Sequence, residues 1–367
     1  MVMMFVQDCT PRTDQGAKLA ARVGGGAMLL RTLVLGARRR SLHYAARDHA
    51  LSGQTRGHII DLTGKVAFVA GVADSTGYGW AVAKQLANAG ATILLGTWPP
   101  AMILMERGMR RGFGSESKLP DGSDLPIAKV YPLDVMFSTP AEVPQEIRVN
   151  KRYADKTDYD IQSCVAAVAR DYGKVDILVH AIANGPDVAK PLLETSREGY
   201  LAASSASAFS MVSMVSLFGP IMPPGSACVS LSFLAAQRVV PGYGGGMSSA
   251  KAQLESDTKV LAWEAGRKHG IRVNSISAGP LASRAACAIV PGNGKGGRFI
   301  DTYIKHCRAH APLQRDLTAD DVGRAALALC SDLSSAITGT CLHVDNGLHA
   351  MACVPADANS FQNEALK

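Results

Sequence analysis

The chain has 367 residues, of which 47% are hydrophobic, and this suffices for a large buried core at the upper end of what one domain holds. Its formal net charge is +7, but residues 1–58 carry nine basic and three acidic groups, which leaves 29 basic and 28 acidic groups on the remainder. The excess positive charge therefore lies in an extension, which argues against a nucleic-acid partner. The sequence has no run of about 20 uninterrupted apolar residues, so it predicts no membrane span.

The extension over residues 1–58 is rich in Arg, Ala, Gly and Leu, poor in acids, and contains the run Arg38–Arg40. This composition is typical of an organelle transit sequence. An ordinary disordered basic tail is the alternative. We predict a targeting extension over 1–58, one folded domain over 59–354 and a C-terminal tail over 355–367.

From residue 59 onward, short β-branched and apolar runs alternate with stretches of helical periodicity. Such alternation predicts a parallel sheet covered by helices on both faces. The fold class is therefore α/β: a Rossmann-like, doubly wound, seven-stranded parallel sheet. The predicted strands are 65–70, 91–96, 128–133, 175–181, 227–232, 271–277 and 340–345, and the predicted helices are 77–89, 161–172, 197–218, 247–269 and 319–331.

Two segments interrupt this alternation, near 98–127 and near 138–160. Both are rich in Pro, Gly and charged residues. We predict that they are insertions running over the surface.

The eight cysteines form no CxxC pair and show no metal-ligand spacing. Several lie in apolar runs, such as Cys228. We predict buried free thiols and no metal site.

The first strand leads into a glycine-rich turn from Gly71 to Gly79, directly before the first helix. Glycines let the backbone approach a pyrophosphate, and the free N–H groups of a helix N-terminus point at such an anion. The spacing is not GxGxxG, so the position between strand and helix is what favours a dinucleotide site.

The second strand ends at Trp98, without the acidic residue that often holds the adenosine ribose. The indole could stack on an adenine or anchor the insertion that follows, and the sequence favours neither. No arginine lies immediately beside Trp98 to pair with a 2′-phosphate, which favours NADH over NADPH. After later strands, Asp134 could accept from the adenine amino group, and Ala183 and Asn184 would let a nicotinamide ribose lie near the backbone. Isolated Asp and Asn residues at such places are otherwise turn or cap residues.

Tyr243 and Lys251 stand eight residues apart, in a segment that leads into a long helix. Two helical turns span about 7.2 residues, so the two side chains could share one face. An ammonium near a phenol lowers the pKa of that phenol, and it can also hold ribose hydroxyls. The phenol can then donate to an oxygen that gains charge in the transition state. The alternative is a loop tyrosine and a solvated lysine.

Over residues 62–351 the chain resembles enoyl-acyl carrier protein reductases of the plastid branch, within the extended short-chain dehydrogenase/reductase superfamily. The lysine of a general superfamily member would follow the tyrosine by four residues, where this chain has Met247. The segments that carry the resemblance are 77–80, 96–98, 131–134, 183–186, 190–197, 241–251, 277–281 and 345–347.

This resemblance implies reduction of a trans-2-enoyl thioester by NADH in type II fatty acid synthesis. It also implies acyl carrier protein as partner, a homotetramer, inhibition by triclosan-like diphenyl ethers, and a plastid location, chloroplast or apicoplast. By position, the catalytic residues are Tyr243 and Lys251, and the cofactor contacts are Gly71, Tyr78, Trp98, Asp134, Val135, Ile182, Ala183, Asn184, Lys251, Ala278, Gly279, Pro280 and Leu281. The substrate contacts are Phe233, Tyr243, Met247, Ala285, Ala286 and Ile289.

Two departures from the family pattern stand in the site. Phe233 replaces a second active-site tyrosine, and losing one hydrogen bond typically costs about 0.5–1.5 kcal/mol. Ala181 replaces a serine. These departures put full activity in doubt without redirecting the chemistry. Two alternative functions stay open: a superfamily reductase acting on a ketone or alcohol, and a dinucleotide-binding protein with weak catalysis because of Phe233.

A glycine-rich loop near 282–299 follows the sixth strand and is predicted to be a mobile substrate flap. Its apolar flanks suit an acyl chain. Lys295 and Arg298 could meet an acidic carrier protein, or could simply be solvated.

Overall fold

The computed structural model describes residues 60–287, 289 and 298–352. The predicted targeting extension, the predicted C-terminal tail, Lys295 and the glycine-rich part of the substrate loop lie outside these residues. The domain boundaries therefore stay predictions.

A seven-stranded sheet forms the centre of the described domain, and all its neighbouring strands pair in parallel. Their order is β3-β2-β1-β4-β5-β6-β7. The predicted fold class is confirmed, and each predicted strand exists within two residues of its expected bounds. The strands are β1 (Val66–Ala70), β2 (Thr92–Thr97), β3 (Ile127–Pro132), β4 (Ile177–His180), β5 (Ala227–Phe233), β6 (Arg272–Ala278) and β7 (Cys341–Val344).

Helices cover both faces of the sheet, because successive strand residues point to opposite sides and both sides are apolar. On one face Val69 packs with Trp80 and Val322, and on the other Phe68 packs with Met211 and Leu254. The α-helices among the described residues are α1 (Tyr78–Asn88), α2 (Met102–Arg111), α3 (Gln145–Arg148), α4 (Ile161–Tyr172), α5 (Arg197–Ser204), α6 (Ser210–Phe218), α7 (Met247–His269), α8 (Arg284–Cys287), α9 (Phe299–His310) and α10 (Ala319–Cys330).

The insertion near 98–127 is more than a surface excursion, because it contains α2. Met102 and Met105, one turn apart, are buried, and Met105 packs into the core on the Trp80 face. Its charged residues conceal this short apolar face in the sequence. Helix α9 was likewise not predicted, since it follows directly on the glycine-rich loop.

The predicted helix over 197–218 is interrupted by a π-helical segment, Ser205–Phe209, between α5 and α6. Among the described residues, the helical stretch Arg197–Ile221 alone is long and apolar enough to cross a membrane, by length and composition only. More than half of its most apolar window is buried inside the protein. It therefore has the character of a core helix, since buried helices are apolar on most sides.

Candidate active site

The carboxyl ends of the parallel strands meet at one edge of the sheet, and the predicted site residues lie there. Gly71 follows β1, Trp98 follows β2, and Asp134 lies just beyond β3. Strand order reverses between β1 and β4, and doubly wound sheets bind ligands at such a switch point. The residues predicted beyond β3 and β4 and at the ends of β5 and β6 share this edge: Val135, Ile182, Ala183, Asn184, Phe233, Ala278, Gly279, Pro280 and Leu281.

The turn after β1 passes close to the backbone that follows β4. Gly71 has φ +91°, and a Cβ there would lie 2.4 Å from the Ala181 carbonyl oxygen. Its N–H donates to the carbonyl of Gly96 at 2.9 Å. The position therefore admits only glycine, and the resulting backbone cradle fits a pyrophosphate.

Helix α1 begins at Tyr78, and no side chain caps its N-terminus. Gly77 caps the helix with no side-chain hydrogen bond to its first N–H groups, so these groups can bind phosphate oxygens. The Tyr78 hydroxyl donates to the carbonyl of Gly279 at 2.7 Å, which ties α1 to the end of β6. Burial raises the pKa of Tyr78, so its phenol remains a donor.

The predicted adenine end is built on a three-residue network. The Trp98 indole N–H lies 3.1 Å from the Asp134 carboxylate and 3.0 Å from the Tyr153 hydroxyl, to both of which it donates. Tyr153 donates to the same Asp134 oxygen at 2.6 Å. Trp98 is 46% exposed, so the network fixes the edge of the indole while part of the residue remains accessible to a ligand. That adenine stacks there, and that Asp134 accepts from it, stay predictions.

Residues of the 138–160 insertion complete this corner, and sequence reasoning missed them. Tyr153 is buried, and the Arg152 guanidinium carbon lies 5.3 Å from the Trp98 ring centroid. An arginine thus lies beside Trp98 in space, although none is its immediate neighbour along the chain. A tyrosine and an arginine in a charged insertion carry no sequence signal of their own.

The π-helical segment places a hydroxyl against the predicted nicotinamide side. The Ser207 Oγ accepts from the Asn184 N–H at 3.0 Å and lies 3.0 Å from the Asn184 carbonyl oxygen. It also lies 3.7 Å from the sulfur of Met247, which is buried. Such π-bulges are frequent at functional sites. Ser207 holds the loop after β4 in place, and Met247 closes the space behind it.

Tyr243 lies in an aromatic cluster at the end of β5. Its ring is 4.9 Å from Phe233, edge to face, and 6.4 Å from Phe299. Burial raises its pKa. The cause is desolvation of the phenolate, so the expected lowering of the Tyr243 pKa by Lys251 is wrong. Tyr243 is a neutral phenol, suited to donate a hydrogen bond.

Lys251 lies on the first turns of α7 and is 4% exposed. Its ammonium donates to the Leu231 carbonyl of β5 at 2.8 Å. Burial lowers its pKa to about 8, and the carboxylate of Glu255 opposes this. Among the described residues, no hydrogen bond joins Lys251 to Tyr243. The alternative of a solvated lysine is wrong, since the side chain is inside the protein.

Comparison with known proteins decides the family. A family model described as Enoyl-(Acyl carrier protein) reductase matches residues 142–349. The chain is 57% identical over 305 residues to the chloroplastic NADH enoyl-acyl-carrier-protein reductase of Arabidopsis thaliana, covering 83% of this chain and 76% of that protein. It is 55% identical over 318 residues to chloroplastic reductase 1 of Oryza sativa subsp. japonica, covering 86% and 82%. The chain belongs to the enoyl-acyl carrier protein reductase family.

Solved structures of this reductase family share the fold. The Plasmodium berghei reductase, solved with triclosan, is 44% identical with a TM-score of 0.74, covering 78% of this chain and 98% of that one. The Anaplasma phagocytophilum reductase, solved with NAD, is 28% identical with a TM-score of 0.64, covering 80% and 96%.

The two departures noted in the sequence occupy defined places in this reductase. Phe233 lies edge-on to Tyr243 and also to Tyr303 of α9, at 5.5 Å. Ala181 lies under the first turn, where a Cβ on Gly79 would come within 3.0 Å of the Ala181 Cβ. Phe233 thus keeps the apolar wall, and Ala181 leaves the first turn close-packed.

The start of the substrate loop is linked to the cofactor turn, the glycine-rich turn between β1 and α1. The Arg284 guanidinium donates to the Asp74 carboxylate, and the Arg284 N–H donates to the Thr76 hydroxyl at 3.2 Å. Of the residues expected against the acyl chain, Ala285 is exposed, and Ala286 and Ile289 are half-buried. Their contact with substrate stays a prediction.

Proposed function

We propose that this reductase transfers hydride from NADH to a trans-2-enoyl thioester carried on acyl carrier protein, in type II fatty acid synthesis. The observation that carries the proposal is a neutral phenol, Tyr243, and a buried ammonium, Lys251, at the strand edge that also holds the Gly71 cradle. Family membership supports it, because the chloroplastic relatives are named NADH enoyl-acyl-carrier-protein reductases.

The residues divide the work by position. The Gly71 turn and the N-terminus of α1 would hold the pyrophosphate, and Trp98 would stack on the adenine. When bound, NADH supplies the hydride that reduces the β-carbon of the enoyl group. Tyr243 donates a hydrogen bond to the thioester oxygen as it gains enolate charge. Lys251 would bind the nicotinamide ribose hydroxyls and add positive potential. A proton then reaches the α-carbon from the phenol or through water.

The experiment follows NADH consumption with crotonyl-CoA for the wild type, Tyr243→Phe and Lys251→Ala, with NADPH in parallel. Tyr243→Phe should lower kcat by roughly a hundredfold or more, the usual cost of losing an oxyanion donor. Lys251→Ala should raise the dissociation constant of NADH and lower kcat. Unchanged rates in both variants would reject the assigned roles. Reduction of ketones without enoyl reduction would instead favour a general superfamily reductase.

Assembly into a homotetramer is part of the proposal. Helices α5–α7 carry large apolar side chains that face solvent in the single chain, as surfaces between copies commonly do. These exposed residues are Tyr200, Leu201, Phe209, Val260 and Trp263.

The remaining partners follow the same relatives. We infer that triclosan-like diphenyl ethers bind this reductase, since the Plasmodium berghei reductase was solved with triclosan. Plastid import by residues 1–58 is consistent with the chloroplastic relatives. Arg298, one candidate contact for the acidic carrier protein, forms an ion pair with Asp301 at 2.8 Å, so it is already partly neutralised.

A further inference from the structure

We propose that Glu255 is a positioning residue for Lys251: its carboxylate keeps the Lys251 ammonium charged and holds it against the end of β5. The inference rests on the role proposed above for Lys251. Nothing in the sequence pattern marked Glu255, which lies in the middle of a long helix.

Glu255 lies one helical turn after Lys251 on α7, and it is 9% exposed. Both of its carboxylate oxygens accept hydrogen bonds. The Ser232 hydroxyl donates to one oxygen at 2.6 Å, and the Gln237 amide donates to the other at 2.7 Å. Buried carboxylates are costly unless they are bonded in this way, so the arrangement holds a negative charge at a defined place.

The contacts join two neighbouring residues of β5 to two residues of α7. Leu231 accepts from Lys251, and Ser232, the next residue, donates to Glu255. Because residues four apart on a helix lie on one face, the strand end and the helix are fixed in register. The strand end whose Leu231 carbonyl accepts from the lysine is therefore also bonded to Glu255, through Ser232.

The charges around Lys251 favour the same role. No salt bridge within 4.0 Å involves Glu255 among the described residues, so its charge is not cancelled nearby. Burial lowers the pKa of Lys251 to about 8, and Glu255 opposes that effect. His180 on β4 faces Lys251, and its own pKa is lowered to about 3 by burial and by that ammonium. On β7, Cys341 and His343 face Glu255.

The test compares Glu255→Gln with Glu264→Gln, which removes the same charge from an exposed position on α7. The dissociation constant of NADH and kcat/KM for crotonyl-CoA are measured on both sides of the Lys251 pKa of about 8. Glu255→Gln should move the alkaline limb of kcat/KM to lower pH, because the lysine then loses its proton earlier. If the apparent pKa of this limb falls by about one pH unit, the protonated fraction of Lys251 at pH 8 falls about fivefold. Glu264→Gln should follow the wild type.

Gln237→Lys provides a second test that keeps Glu255 in place. Gln237 is exposed, so a lysine there can be accommodated, and its ammonium would neutralise the Glu255 carboxylate. This variant should also lower the alkaline limb. Coincident pH profiles for Glu255→Gln and Glu264→Gln, or a wild-type profile for Gln237→Lys, would overturn the inference. Loss of activity in Lys251→Ala with coincident profiles would reject the role of Glu255 alone, whereas unchanged rates in Lys251→Ala would reject the role proposed for Lys251, on which this inference rests.

Discussion

The turn after β1 can form only because residue 71 is a glycine. Its φ of +91° lies in the region that favours glycine, and the space where a Cβ would sit is occupied by the Ala181 carbonyl. The sequence predicted a close backbone approach here. In the structure, the group that lies closest to the Cβ position of residue 71 is the protein's own backbone, at the Ala181 carbonyl.

Gly71→Ala should therefore lower the free energy of unfolding by about 1–3 kcal/mol from backbone strain alone, with weaker NADH binding. Chemical denaturation and NADH fluorescence titration measure the two effects. Gly266→Ala is the matched control. Gly266 lies inside α7, and a Cβ there would meet only the Ile271 carbonyl oxygen, at an ordinary contact distance of 3.6 Å. That variant should be up to about 1 kcal/mol more stable than the wild type. Equal stabilities for the two variants would contradict the account.

Among the elements, the turn after β1 and the short helix α8 are coupled by side chains from distant parts of the chain. Partial burial raises the pKa of Asp74, but hydrogen bonds from Thr76 and from Arg284 lower it overall. A lowered carboxylate pKa means that the link is present at neutral pH and lost only as the pH falls through that value. The position of Arg284 at the start of the substrate loop is thus fixed by its bonds to Asp74 and Thr76.

We expect Arg284→Gln and Asp74→Asn each to raise the KM of crotonyl-CoA, and the double variant to show little further loss. Exposed ion pairs contribute up to about 1 kcal/mol, so each increase should be about fivefold or less. A double-mutant cycle on KM measures the coupling. Fully additive effects would mean that the two side chains act independently.

On the scale of the whole molecule, the described domain contains every predicted site residue, and the N-terminal 58 residues contribute none. A chain that begins at Ile59 should therefore keep the kcat/KM and the melting temperature of the full chain. Light scattering on this shorter chain should give the mass of four copies. A monomeric mass would contradict the homotetramer, and a large loss of activity would contradict the role of residues 1–58 as a targeting extension.

Local periodicity determined most of the fold in advance. The strands are short apolar runs, most of which end at glycine, proline or a polar residue, and the long helices repeat their apolar positions. Strands and helices therefore follow from near neighbours along the chain. The insertions were interpreted less well, because only Met102 and Met105 of α2 are buried and charged residues follow them directly. The sites at strand ends were also predictable, since parallel strands bring their carboxyl ends together.

The sequence by itself thus determined the elements, the parallel sheet and the edge on which the chemistry lies. Only the tertiary structure decided the charge states and the partners: the raised pKa of Tyr243, the Tyr153 bond to Asp134, and the Glu255 bonds behind Lys251. The reason is physical. Burial and hydrogen bonding depend on which segments pack together, and those segments are far apart along the chain.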